Sequence, residues 1–218
     1  MSCIAAVVVA ASASLAHAEV RCPPPAGAEP QLGEIDGRAR LVWIDQRLTR
    51  EAPRMHFWNW GWAIGIGGAG VGTLIAAPFA NPEDRIDYYT GAVAAAIGVA
   101  PFIFSPPRVV GDARELHGKL TGAPPRTDTE VCQLLVEAEG KLVRDARNAH
   151  ATTAWWAHVG NVVFNAGIVL FEGLAYQRWT GGLINGVSGV VVGEAVILSQ
   201  PTRNIDDLAA YNRGDLRP

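Results

Sequence analysis

Five polar residues stand where polarity is costly. His158, Asn161, Asn165 and Glu172 follow one another at steps of 3, 4 and 7 in an otherwise apolar run, and Glu194 sits in the next apolar run. Such steps place side chains in one narrow stripe of a helix. An ionisable group at mid-membrane costs about 2.5–3.5 kcal/mol or more, so the stripe is a functional hypothesis by default. Its chemistry would be a proton or ion path along the third and fourth apolar segments. Depth limits that idea. Glu172 lies near the turn end of its segment and Glu194 near the opposite end of its own. At a rise of about 1.5 Å per residue they stand on the order of 15 Å apart in an antiparallel hairpin. They are not a carboxylate dyad, and His158 is the better partner for Glu194. The competing reading, and the preferred one, is hydrogen bonding between helices with the outer groups reaching toward the interfaces.

The remaining motifs carry less. Gly65 to Gly70 matches G-x-G-x-x-G, and Glu83 and Asp84 follow near the distance of a ribose-binding acid. A dinucleotide site needs a strand before the glycines and a parallel strand after the helix. Here a Trp-rich segment precedes them, and Pro82 with its acidic turn takes the place of the second strand. His56 and His150 occupy matching places before the two hairpins but make no metal site by themselves. The chain has no H-E-x-x-H, P-loop or G-x-S-x-G. No catalytic residue, cofactor or metal is expected.

The elements that must position the polar stripe are four apolar segments. Residues 57–80 contain no charge, and about 20 residues of helix cover the roughly 30 Å hydrocarbon core. Trp58, Trp60 and Trp62 open this span, as expected for rings at the headgroup boundary. The run from Asn81 to Asp87 makes a turn, and residues 88–104 return. Residues 154–176 and 181–199 form a second hairpin around Gln177 and Arg178. Gly61, Gly65, Gly68 and Gly72 step by 4, 3 and 4, as do Gly182, Gly186, Gly189 and Gly193. Small residues on one helix face let backbones approach closely in lipid, so both series are expected to be packing seams, within one chain or between chains.

Each hairpin follows an amphipathic pattern. Leu41, Ile44, Leu48, Ala52 and Met55 share one face, and Leu135, Ala138, Leu142, Ala146 and Ala149 repeat the same 3, 4, 4, 3 spacing 94 residues later. Pro53 is expected to bend or end the first of these helices near the membrane. The displacement of 94 also carries His56 to His150, Trp62 to Trp156 and Pro107 to Pro201. This predicts an internal duplication, residues 31–122 and 123–218, each an amphipathic helix near the membrane surface followed by a hairpin and a polar tail. A helical stretch is expected at 204–211.

Residues 1–18 read as a signal peptide, with an apolar run ending in Ala16-His17-Ala18, although no positive charge precedes it. Residues 19–30 form a Pro-rich leader. Cleavage leaves Cys22 and Cys132, both in polar blocks on one side of the membrane, and either a disulfide or two free thiols fits the sequence. With that topology the outer blocks hold 16 of the 18 Lys and Arg residues and the two inner turns hold Arg85 and Arg178. This opposes the positive-inside tendency. An uncleaved first span would restore the tendency but would need more than a 15-residue run. Cleavage is adopted.

The net charge of −3 offers no electrostatic case for nucleic acid. The excess of Arg over Lys suggests a bacterial source. The reading is therefore an all-α membrane helical bundle of two duplicated transmembrane hairpins in the bacterial inner membrane, with its polar blocks in the periplasm. A structural or partner-binding role is expected, with the lipid bilayer and a second copy or another envelope protein as partners. The alternatives are a small transporter or channel subunit, and a soluble bundle that buries the same segments.

Overall fold

The computed structural model describes residues 19–217. Among these every regular element is helical: α1 (Gly37–Ala76), α2 (Arg85–Phe104), α3 (Arg108–Gly122), α4 (Asp128–Thr153), α5 (Trp155–Tyr176), α6 (Trp179–Leu198) and α7 (Arg203–Asn212), with short 3-10 turns at Pro30–Glu34 and Ala77–Phe79. The expected signal peptide lies outside the described residues.

Four helices are long and apolar enough to cross a membrane. The apolar windows that qualify them are at most 22% buried within the molecule. Large side chains such as Phe79, Phe104 and Leu174 stand 71–87% exposed. A water-facing surface of that kind would be an extended apolar patch. In lipid it is the ordinary outer face of a span, and the soluble-bundle alternative loses its premise that these segments are internal.

The chain departs from expectation at Pro53. α1 runs for 40 residues straight through this proline, so its polar first half and the first span are one helix. The proline removes one backbone donor and leaves the helix unbroken. The apolar face Leu41, Ile44, Leu48 and Met55 is buried, as is Leu135, Ala138, Leu142, Ala146 and Ala149 on α4. These faces meet each other and α3 in a common core with Val109, Ala113 and Leu116. They are covered by protein where coverage by the membrane surface was expected. α3 itself was not foreseen, because its apolar residues are sparse among charges. The leader also belongs to this core through Val20 and Cys22, and its backbone is tied to the ends of α1 and α7 by Gly37 N–H to Val20 O (2.7 Å) and Glu29 N–H to Asn212 O (2.8 Å).

Caps set the helix starts. Asp36 accepts from Ala39 N–H at the head of α1, and Thr127 with Glu130 forms a reciprocal capping box at the head of α4. At the centre of the polar domain Arg40 is wholly buried. It donates to Cys22 O (2.9 Å) and to the Tyr211 hydroxyl (2.9 Å), and it pairs with Glu139, which also accepts from Tyr211. Four separate stretches of chain meet at this one guanidinium. Cys22 and Cys132 are joined in a disulfide with Cα atoms 5.4 Å apart, which ties the leader to α4.

Candidate functional site

The polar stripe of α5 faces α6. His158 Nδ1 lies 2.5 Å from Glu194 Oε2, and Asn161 donates to Glu194 Oε1 (3.0 Å) and to Val190 O (3.0 Å). Asn165 donates back to Asn161 through both its backbone oxygen and Oδ1, each at 2.9 Å. His158, Glu194, Asn161 and Asn165 thus form one connected line of hydrogen bonds. Glu172 stands apart from it. It is wholly buried and accepts from Asn185 Nδ2 (2.7 Å), which also donates to Asp87 O (2.9 Å).

Glycines of α6 make room for these side chains. A Cβ at Gly189 would collide with the side-chain oxygen of Asn165, and one at Gly193 with that of Asn161. At Gly186 it would strike Val169, and at Gly182 it would press on the Val169 carbonyl at 3.0 Å. The first glycine series is placed differently. Gly61, Gly65, Gly68 and Gly72 are exposed, and a Cβ at any of them would meet nothing within 4 Å. The buried small residues of that span are Ala63, Gly70 and Ala77, seven apart, and a Cβ at Gly70 would lie 2.7 Å from the Ala95 methyl on α2. The 4, 3, 4 stripe therefore lies off the seam within this hairpin, and a period of seven marks the face used. The G-x-G-x-x-G match sits inside α1, where its amides belong to the helix and do not form a loop around a phosphate.

Tertiary structure adds ties that no motif signalled. Arg178, in the second turn, pairs with Asp84 and Asp87 of the first turn and donates to Asp87 Oδ2 at 2.8 Å. The side-chain amide N–H of Asn81, donating to Asp84 Oδ2 at 3.1 Å, and this guanidinium hold the Asp84 carboxyl below its ordinary range. At the other end the indoles of Trp58 and Trp62 both donate to Ser199 Oγ, at 3.2 and 3.0 Å. Asn59, buried in α1, donates to Phe102 O at 3.1 Å. That carbonyl has no donor four residues on, because residue 106 is proline.

The hairpins are joined at both ends and separate between them. A cavity of about 1200 Å³ lies there, walled by side chains such as Trp58, Trp62, Ile66 and Val192. Asn59, Asn161, Asn165 and Asn185 border it, whereas His158, Glu172 and Glu194 do not. Its floor is formed in the polar domain by Arg108, Asp145, Asn148 and Asn204. Asp145 and Asn204 are each 3% exposed, and among the described residues Asp145 Oδ2 and Asn204 Oδ1 have no hydrogen-bond partner. Burial, with the Asp112 carboxylate beside it, pushes the Asp145 carboxyl up to about 7, against the pull of Arg144, Lys141 and Arg108. The nearby cations are otherwise engaged: Lys141 with Asp112 and Glu115, and Arg144 with Asp112.

Among known proteins, no family model, curated protein or solved structure matches this chain. The site is read from its own geometry.

Proposed function

We propose that the protein is a binding protein of the bacterial cell envelope that holds an amphipathic molecule between its two membrane hairpins, without catalysing a reaction on it. The observation that carries this reading is the cavity, apolar along the spans and polar at its floor. Small-molecule sites are typically concavities of about 300–1,000 Å³ with mostly apolar walls and a few placed polar groups, and they occur between helices of bundles. The bilayer supplies the surroundings of the spans, and the polar helical domain offers the surface for a second copy or another envelope protein.

The same reading places the polar domain in the periplasm after removal of residues 1–18. The Cys22–Cys132 disulfide supports it, because such bonds persist in oxidising compartments. It outweighs the charge bias, since the polar blocks carry most of the acids as well as the bases. A duplication is part of the proposal: α2 and α6 are each 20 residues long and begin 94 residues apart.

Quenching of Trp58 and Trp62 by lipids brominated along the acyl chain tests the binding reading in purified full-length protein. Saturable quenching that disappears when Gly65 is replaced by Leu supports an occupied cavity. Quenching that stays linear with brominated lipid and ignores the substitution removes the reading. Cysteines placed singly at Arg47, Arg85, Arg144 and Arg178 and labelled from outside intact cells test the orientation; only positions 47 and 144 should react.

A second reading rests on the unbroken line from His158 through Glu194 and Asn161 to Asn165, a proton or ion path along α5 and α6. Glu194→Leu should abolish a conductance across liposomes holding the protein. If no conductance exists to abolish, the line only joins the two helices.

A further inference from the structure

We propose that the occupant of the cavity is a phospholipid whose headgroup carries a primary ammonium, with the ammonium donating to the side chains of Asp145 and Asn204, the phosphate beside Arg108 and an acyl chain between the hairpins. This rests on the binding reading above and names the chemistry of what is bound.

The floor and the walls ask for different things. Asp145 and Asn204 come from different helices, α4 and α7, yet both border the same cavity, and each has a buried side-chain oxygen without a donor among the described residues. A buried polar group left unsatisfied costs free energy, and a carboxylate left so costs most. With these side chains turned toward the cavity, a ligand with N–H or O–H donors satisfies both acceptors. No ion pair of Asp145 exists among the described residues, which favours a cationic donor. Arg108 borders the same end and would repel a simple amine, but it suits one that carries its own anion. A primary ammonium next to a phosphate meets both demands.

Depth fits as well. Arg108 lies four residues beyond the end of α2 and Asn204 six beyond the end of α6, so both stand just past the ends of their spans, where headgroups lie. Along α1 the cavity is bordered from Met55 to Thr73, a length of about 27 Å at a rise of about 1.5 Å per residue. An acyl chain can lie along it against Ile66, Ala69 and Val192.

Native mass spectrometry of the full chain tests this with three phospholipids of identical acyl chains in equal amounts. One carries an ethanolamine headgroup, one a choline headgroup with the same charges but no N–H, and one a glycerol headgroup with no amine. The ethanolamine lipid should be retained about tenfold over the choline lipid, the effect of roughly one charge-assisted hydrogen bond. Asp145→Asn should bring that ratio within about twofold, and Asn204→Ala should lower it, in protein that elutes as a single species with its disulfide intact. Arg108→Gln should weaken retention of all three alike. Equal retention of ethanolamine and choline lipids by the unaltered protein overturns the ammonium site while leaving lipid binding in place. An unchanged ratio in both Asp145→Asn and Asn204→Ala overturns it too. Retention of none of the three removes the site and the binding reading together.

Discussion

The side-chain oxygen of Asn165 occupies the space that a Cβ on Gly189 would need. Its amide is held toward Asn161, so the side chain has no other place to go without breaking those hydrogen bonds. Polarity on α5 and the absence of side chains on α6 are thus one feature seen from two helices. In lipid, where apolar contact does not favour helix over solvent, this kind of close packing and hydrogen bonding is what joins spans.

Gly189→Ala should therefore destabilise the second hairpin by about 1–3 kcal/mol, the usual cost of overpacking. Gly68→Ala, on the exposed face of α1, should be neutral or gain up to about 1 kcal/mol from helix propensity. Thermal unfolding in one detergent compares the two. Equal losses at both positions would contradict the packing described.

The buried pair Arg40 and Glu139 makes a different prediction. Arg40→Met removes the cation while Glu139 stays buried beside Tyr211, and loss of one partner of such a pair costs about 3–5 kcal/mol. The double variant Arg40→Met with Glu139→Leu should recover much of that loss. A double-mutant cycle on the midpoint of chemical unfolding measures the coupling, and additive single losses would count against it.

Cys22 and Cys132 lie 110 residues apart in sequence, and the disulfide closes that loop. In the chain-entropy description a loop of this length is worth roughly 4–5 kcal/mol, with measured values more often about 2–4. Cys22→Ser with Cys132→Ser should lower the thermal midpoint, and reductant should do the same to the unaltered protein but not to the double variant. A reductant-insensitive midpoint in the unaltered protein would argue that the thiols are free.

Asp145 predicts a pH dependence. Its carboxyl holds a proton up to about 7 in the folded protein, whereas an ordinary aspartate releases it near pH 4. Between these values the folded state binds more protons than the unfolded one, so stability falls as pH rises through that window. Above about pH 7 the whole cost is present. Asp145→Asn carries no titrating proton, and its advantage over the unaltered protein should grow from near zero at pH 4 to about 4 kcal/mol at pH 8. Paired unfolding curves at the two pH values, in detergent without added phospholipid, check this. An advantage that does not change with pH would show that Asp145 titrates normally. The groups facing it are Asp112 and Arg108 from α3 and Lys141 and Arg144 from its own helix, and neutralising Asp112 should narrow the window.

The sequence by itself determined which helices are long and apolar enough to cross a membrane and which of their residues would seek one another. Length and apolarity decide whether a helix can span, and both are local properties; hence residues 57–80, 88–104, 154–176 and 181–199 were legible, as was the pairing of His158 with Glu194 from their depths alone. Gly182, Gly186, Gly189 and Gly193 stood out by spacing because a seam on a straight helix repeats at three and four residues. The same spacing did not find the face of the first hairpin that meets α2, since Gly61, Gly65, Gly68 and Gly72 share a face but nothing local says whether it packs within the chain or against another. Only the tertiary structure decided that Ala63, Gly70 and Ala77 are the buried small residues of that span. It also decided that Cys22 reaches Cys132, that α3 and α7 close a core with α1 and α4, and that Asp145 and Asn204 border one cavity. Each of these depends on how helices distant in the chain are set against one another, and that setting is a sum of many contacts that no single residue pattern encodes.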